Sequence, residues 1–268
     1  MSIDVSKLRQ LVTEVADAEI LPRFQQTESR KKADGSLVTE ADLSTQRRLT
    51  ERLAQMHPDI PLLGEEMSAE EQARVITDSE TGFWCLDPLD GTANYVAGMP
   101  CFATSLAYIR QGQVHIGIIY DPLRRECFHA VRGEGAWLNN QRLQVTTSAD
   151  ELKACVAMVD FKRLSPRLAA ELATRPPYRS QRSIGSVALD WCWLAAGRLQ
   201  LYLHGGAKLW DYAAGSLIYR EAGGSYRLTP GHVSLPEQRE LTLTPCMAVA
   251  AANQALFHAW SGWLQGYD

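Results

Sequence analysis

Residues 84–95 read Trp-Cys-Leu-Asp-Pro-Leu-Asp-Gly-Thr-Ala-Asn-Tyr. That string restricts the chain to folds in which a buried strand runs into an acidic turn and then into a helix start. The apolar run from Gly82 to Leu86 leads in, and Asp87 and Asp90 stand three apart with Pro88 between them. Proline fixes its own φ and favours a turn, so the turn can aim both carboxylates and the Leu89 carbonyl at one point. Three oxygens in one turn suit Mg²⁺, which takes an octahedral oxygen shell and keeps some waters. Gly91 lets the backbone approach a phosphate closely, and Thr92 adds a hydroxyl beside free N–H groups at the helix start. A cation next to an anion-binding turn is what phosphate chemistry needs. Taken alone, an Asp-x-x-Asp pair reads equally as a turn former, and Asp90 reads equally as the N-cap of the Thr92–Val96 turn.

The rest of the chain supplies layers for such a strand. Val5, Leu8, Val12 and Val15 recur at helical spacing and predict a helix over residues 5–24. Asp34-Gly35 signals a turn. Thr39 with Asp42 three residues on predicts a capped helix that ends at His57-Pro58. Residues 60–64 read as a short strand, 66–79 as a polar surface helix or loop, and 83–86 as a buried strand. Segments 102–109, 114–120, 126–131 and 136–138, split by turn residues, predict an antiparallel meander. Beyond about residue 145 the pattern alternates: strand 154–159, helix 166–173, helix 186–196 opened by Ser186, strand 199–203, and helix 212–222 stopped by Gly223-Gly224. Two halves of layered helices and sheets follow. Residues 1–145 form an N-terminal α+β part with the acidic turn and antiparallel sheet. Residues 146–268 form a C-terminal α/β part that completes the site.

Further candidates lie away from the acidic turn. Glu65-Glu66 follows a buried strand, and adjacent residues of an extended chain point to opposite sides. One acid can thus reach a metal while the other faces elsewhere; alternatively both are solvated. Trp210-Asp211 precedes a helix and reads as an N-cap or as a distant carboxylate closing a two-cation site. Ser183-Ile184-Gly185-Ser186 either caps the next helix or presents N–H groups and a hydroxyl to a polyol. The histidines form no ligand cluster; His204 alone has a case for function. No P-loop, GxGxxG, GxSxG or HExxH string occurs.

Charge and composition narrow the classes. A formal net charge of −4 argues against a general nucleic-acid surface. No apolar run approaches the roughly 20 residues of a membrane helix, and the N-terminus lacks a signal-peptide core. The six cysteines are scattered without C-x-x-C pairs, and read as free thiols filling a core in a reducing cytoplasm.

Together these segments resemble the inositol monophosphatase family of Mg²⁺-dependent, lithium-sensitive phosphatases. The resemblance rests on Leu63-Gly64-Glu65-Glu66, on Leu86 to Tyr95, on Ser183 to Ser186, and on Leu209-Trp210-Asp211-Tyr212-Ala213-Ala214 through Glu221-Ala222-Gly223-Gly224. Val38-Thr39-Glu40-Ala41-Asp42 adds a fifth segment. The resemblance runs from about residue 5 to 225 and fades over the last forty residues. It implies an αβαβα five-layer sandwich, homodimers, and two or three Mg²⁺ ions per site. Glu65, Asp87 and the Leu89 carbonyl match ligands of a first metal; Asp87, Asp90 and Asp211 match ligands of a second. Glu65 and Thr92 would activate the attacking water, with Asp42 orienting the Thr92 hydroxyl. The Gly91 and Thr92 N–H groups would hold the phosphate. Gly185, Ser186, His204, Asp90 and Asp211 would face the substrate, a small phosphate ester, and no phosphoenzyme is implied. Thr92-Ala93-Asn94-Tyr95 looks like the inositol type, whereas bisphosphate-nucleotide members carry Lys-Glu-Phe there. One departure stands out: inositol-type members have a glutamate at the position of His204. The substrate is therefore open among inositol 1-phosphate, histidinol phosphate and sugar phosphates, with bisphosphate nucleotides ranked lower. A non-enzymatic partner-binding protein on this fold is the reading from a different class. All the metal ligands and Thr92 are present, which argues against it.

Overall fold

Asp4 starts the first helix by accepting hydrogen bonds from the Ser6 and Lys7 amides, so α1 runs Val5–Glu19. It ends short of the expected residue 24. Pro22 has no N–H to continue the ladder and sits in a single 3₁₀ turn, Leu21–Arg23. The computed structural model describes residues 3–26, 28–32, 35–78, 81–230 and 241–267. Asp34 of the expected turn, Ser79 and His232 lie outside the described residues. β1 (Ser29–Lys31) and β2 (Leu37–Thr39) form an antiparallel hairpin with Ser29 opposite Thr39. Thr39 then caps α2 (Glu40–Met56), and the Asp42 side chain returns to the Thr39 amide, completing the expected capping box.

The first sheet has seven strands. β3 (Leu62–Gly64) begins later than expected, after Pro61, and pairs parallel with β4 (Phe83–Asp90). The polar segment between them forms α3 (Ala69–Asp78). β4 continues through both aspartates rather than stopping at Leu86, and α4 (Thr92–Val96) follows. β5 (Ala103–Arg110), β6 (Gln113–Asp121), β7 (Glu126–Val131), β8 (Gly135–Leu138) and β9 (Gln141–Leu143) form the expected antiparallel meander, each paired with the next.

The second sheet has five strands. In chain order the elements are β10 (Val156–Asp160), α5 (Pro166–Thr174), β11 (Ser180–Arg182), α6 (Val187–Ala195), β12 (Leu201–Ala207), α7 (Leu209–Glu221), β13 (Ser225–Thr229), β14 (Cys246–Ala251) and α8 (Gln254–Gln265). The spatial order is β11-β10-β12-β14-β13. β10 is parallel to β11 and β12, and β14 is antiparallel to β12 and β13. Two expected boundaries are corrected. Strand 199–203 is β12, which extends to Ala207 and takes in His204. Helix 212–222 is α7, which starts at Leu209 and takes Asp211 into its first turn.

Three apolar clusters show the layering. Leu8, Leu11, Val12 and Val15 of α1, with Leu49 and Leu53 of α2, pack against Trp84, Leu86, Leu106 and Ile118 on one face of the first sheet. α6 and α7 lie between the sheets, and Trp191 meets Tyr202 of β12 edge to face at 5.0 Å. Leu168 and Leu172 of α5, with Leu256 and Trp260 of α8, cover the outer face of the second sheet. Fully burying one such leucine contributes about 1.5–3 kcal/mol, so each layer is held by many similar increments. The result is the expected αβαβα sandwich. All six cysteines are free and five are buried, as core filler should be. No helix among the described residues is long and apolar enough to cross a membrane.

Candidate metal centre

The ladder between β4 and β5 is regular to Asp87 opposite Ser105, then slips, so that Asp90 lies opposite Ala103. Pro88 cannot donate to the ladder, and the Leu89 amide donates instead to Asp87 Oδ1 at 3.0 Å. The Pro88 carbonyl accepts from Thr104 Oγ1 at 2.9 Å, which pins the bulge. Gly91 ends the strand with φ +90; a Cβ there would lie 2.7 Å from the Cys101 carbonyl oxygen. Only glycine fits this left-handed position, and it starts α4 without a side-chain cap. Asp90 therefore does not cap α4. Its Oδ2 accepts instead from Ser186 Oγ and from the Ala188 amide, at 2.8 Å for the latter. The carboxylate thus sits at the start of α6, where the helix dipole favours negative charge. Ser186 is also the N-cap of α6, as its sequence position predicts.

Asp211 arrives from the first turn of α7, where its Oδ2 accepts from the Lys208 amide at 2.8 Å. It occupies the third helical position rather than the cap. Asp87, Asp90 and Asp211 bring carboxylate oxygens within 4.8 Å of one another. Burial is the first cause of a raised pKa in all three, and neighbouring carboxylates add to it. Asp87 is held well above the usual carboxylate range, Asp90 is pushed up to about 6, and Asp211 to about 8. Buried, mutually repelling carboxylates need positive charge beside them. The donors are all oxygen, so the cluster fits a hard divalent cation.

Glu65 stands at the rim of this triad, and its charge acts on Asp87, Asp90 and Asp211. Its amide donates to the Leu86 carbonyl at 3.1 Å, fixing it beside β4. Glu65 and Glu66 do not face opposite ways. Both lie in the turn after β3, where strand alternation no longer applies, and both carboxylates reach Lys32 Nζ, at 3.1 and 2.6 Å. Lys32 precedes the hairpin turn and carries no signal of this role in the sequence.

Thr92 Oγ1 lies 3.0 Å from Asp42 Oδ1 and 2.9 Å from the Leu89 carbonyl oxygen. Asp42 is buried, and its other oxygen accepts from the Thr39 amide and hydroxyl at 2.7 and 2.6 Å. One aspartate thus caps α2 and orients Thr92. The Ser183–Ser186 turn is tied to the α4 loop by Asn94, whose Nδ2 donates to the Ile184 and Cys101 carbonyls at 2.6 and 2.8 Å. Asn94 is a positioning residue that the sequence reading passed over.

A cleft of about 190 Å³ opens beside Asp90 and Asp211, lined also by Gly185, Ser186, His204, Asp160, Lys162 and Arg163. His204 is buried within β12 rather than just beyond the expected strand 199–203. Its Nδ1 accepts from the Gly206 amide at 3.2 Å, which leaves the proton on Nε2, 3.4 Å from Asp160 Oδ2. That contact, first among several, holds the Asp160 carboxyl down to about 2. Asp160, Lys162 and Arg163 also lacked a sequence signal.

The sandwich and its acidic cleft define a phosphoric monoester hydrolase. The sequence profile of the inositol monophosphatase family matches residues 2–261, and the chain belongs to that family. It is 40% identical over 216 residues to the Nus factor SuhB of Pasteurella multocida, covering 75% of this chain and 78% of the relative. It is 39% identical over 199 residues to an inositol-1-monophosphatase of Mycobacterium bovis, covering 72% and 68%. Among solved structures, an IMPase of Thermotoga maritima superposes with a TM-score of 0.81 at 25% identity, over 98% of this chain and 96% of that one.

Proposed function

We propose that this protein hydrolyses a small phosphate monoester in a Mg²⁺-dependent reaction, with inositol 1-phosphate or a related polyol phosphate as the leading substrate. The observation that carries this reading is the Asp87, Asp90 and Asp211 triad, the first two buried and the third half-buried, with carboxylate oxygens within 4.8 Å and the charge of Glu65 acting on it. Glu65, Asp87, the Leu89 carbonyl, Asp90 and Asp211 would hold two or three Mg²⁺ ions. The bound metal supplies charge for the phosphoryl oxygens and lowers the pKa of the attacking water.

The protein's own groups do the rest. Glu65 takes the one proton that the attacking water loses, the Thr92 hydroxyl accepts a hydrogen bond from that water, and Asp42 sets the direction of the hydroxyl by accepting its hydrogen. The Gly91 and Thr92 N–H groups hold the phosphate. Gly185, Ser186 and His204 face the alcohol half, so the leaving oxygen points toward Asp90 and Asp211. Displacement is direct, with no phosphorylated residue. The Nus factor names among relatives raise a partner-binding reading, but the complete acid set and the Thr92–Asp42 contact support hydrolysis. The family likeness also supports lithium sensitivity and a homodimer.

The test is phosphate release from inositol 1-phosphate, histidinol phosphate, sugar phosphates and a nucleoside bisphosphate, in Mg²⁺ and in EDTA. Release that depends on Mg²⁺ and falls in millimolar Li⁺ is expected. Equal release in EDTA would overturn the mechanism, and no release from any ester would overturn the function.

A further inference from the structure

A second cavity lies toward the far end of α7. The middle of that helix is seated on the first sheet at Gly117 of β6, where a Cβ would lie 2.7 Å from the Ala214 carbonyl oxygen. Beyond that contact a cavity of about 260 Å³ opens between the end of α7, the β5–β6 hairpin and β13, and it is larger than the catalytic cleft. Leu217 of α7, Val114 of β6, Leu228 of β13 and Leu241 form its apolar side. Arg132, just after β7, and Arg220, in the last turn of α7, supply its cations. Asp211 stands in the first turn of the same helix, about 14 Å along it from Arg220, so the cavity is separate from the acid cluster.

The cations are placed by the fold and lack a facing acid. The Arg132 amide donates to the His115 carbonyl at 2.9 Å and its Nε to the Val114 carbonyl at 2.8 Å. These bonds fix the guanidinium, whose terminal nitrogens make no hydrogen bond among the described residues. Arg220 has only Glu221, 3.8 Å from its Nε, and that carboxylate also accepts from the Gly135 amide at 3.2 Å. Among the described residues no carboxylate lines the cavity. The positive charges act on one another: burial and then the charge of Arg220 lower the pKa of Arg132, and burial and then Arg132 lower that of His115. Half-buried like charges without a counter-charge are costly, and an oxyanion between them offsets that cost.

We propose that this cavity is a second ligand site, one that takes a small amphiphilic oxyanion, with a short alkyl or aryl body on the leucines and a carboxylate or phosphate head between Arg132 and Arg220. Apolar walls with a few convergent polar groups are the usual make-up of a small-molecule site, and a guanidinium fork matches either head in bidentate fashion. At about 260 Å³ the cavity falls just below the roughly 300–1,000 Å³ of drug-sized pockets, which restricts the body to about one ring. None of the proposed metal ligands takes part, so the inference stands apart from the phosphatase reading.

The experiment is titration calorimetry of the whole chain in EDTA with four probes: benzoate, phenyl phosphate, benzyl alcohol and inorganic phosphate. Without a cation the acid cluster repels anions, and no ester is turned over. Benzoate or phenyl phosphate should bind with a Kd of about 1 mM or tighter, at one per chain and more weakly as salt rises. Benzyl alcohol, which lacks the head, and inorganic phosphate, which lacks the body, should each bind at least about tenfold more weakly. The tighter of the two aryl anions names the head group. In Arg132→Gln/Arg220→Gln the aryl anions should lose at least about tenfold. Glutamine keeps a donor for the Val114 carbonyl, and unchanged circular dichroism establishes that the variant is folded; Arg220→Gln alone, at a half-exposed position, gives the same reading if the double variant is not. No binding of either aryl anion at 10 mM, benzyl alcohol bound as tightly as benzoate, or an affinity untouched in the folded variant overturns the inference.

Discussion

Replacing Asp87 with asparagine separates the two things its carboxylate does. The amide oxygen of the new side chain still accepts from the Leu89 amide, so the bulge is preserved, but a negative charge is gone. Two unit charges at the 4.8 Å limit of the triad repel by roughly 3.5 kcal/mol at an effective dielectric of about 20. In metal-free protein part of that is relieved by retained protons, since burial and mutual repulsion raise the pKa of Asp87 itself as well as those of Asp90 and Asp211. The remaining gain for Asp87→Asn is about 1–3 kcal/mol, or roughly 2–10 °C in Tm for a chain of this size. Metal has the opposite effect. Wild type at a Mg²⁺ concentration 100 times Kd gains about 2.7 kcal/mol, and the variant should gain almost none. Scanning calorimetry at pH 7.5, in EDTA and in Mg²⁺, reads both shifts. In the same variant kcat/KM should fall by more than the roughly 10–100-fold typical of residues that only support ligands. A variant that melts lower than wild type in EDTA, or that keeps the wild-type Mg²⁺ response, would refute the reasoning.

Three further perturbations probe the surroundings. Gly91→Ala forces a side chain into φ +90 and against the Cys101 carbonyl, so a loss of about 1–3 kcal/mol by chemical denaturation is expected along with activity; wild-type stability would contradict the close approach. His129, buried against Trp137, has its pKa lowered from 6.5 to about 4, first by burial and then by Arg9. A depressed folded-state pKa means that the stability tied to neutral His129 is present above pH 6.5 and drains as pH falls toward 4. The drain is up to about 3 kcal/mol and should vanish in His129→Gln, as urea melts at pH 7 and 4.5 can show. His204→Glu sets a second carboxylate beside Asp160. Relative kcat/KM should move toward inositol 1-phosphate by up to about tenfold, with the Mg²⁺ requirement unchanged, and identical preferences would remove His204 from substrate contact.

Features set by local chemistry were legible in the sequence. The Thr39–Asp42 box and the Ser186 cap each involve residues a few positions apart, and each is found as read, whereas the acidic segment read as a turn is the bulged end of β4. What was missed depends on distant packing. His204-Gly205-Gly206 looked like a strand end because two glycines usually break a strand; they are glycine because the Arg163 turn lies on β12. The Glu65–Glu66 pair was read as alternating because nothing local marks where β3 stops, and Lys32 lies more than thirty positions away. β14, Cys246–Ala251, is mostly small and apolar with no period, yet it is a central strand held between β12 and β13. Asp160, Lys162 and Arg163 gain meaning only once the turn is seen to line the same cleft as Asp211.

The claim on which the rest depends is that Glu65, Asp87, Asp90 and Asp211 form one divalent-metal centre. Anomalous diffraction from crystals grown with Mn²⁺ tests it most directly. At least two peaks roughly 3.5–4 Å apart are expected, both within coordination distance of an Asp87 oxygen. Mn²⁺ bound only elsewhere, or no peak at Asp87, would contradict it.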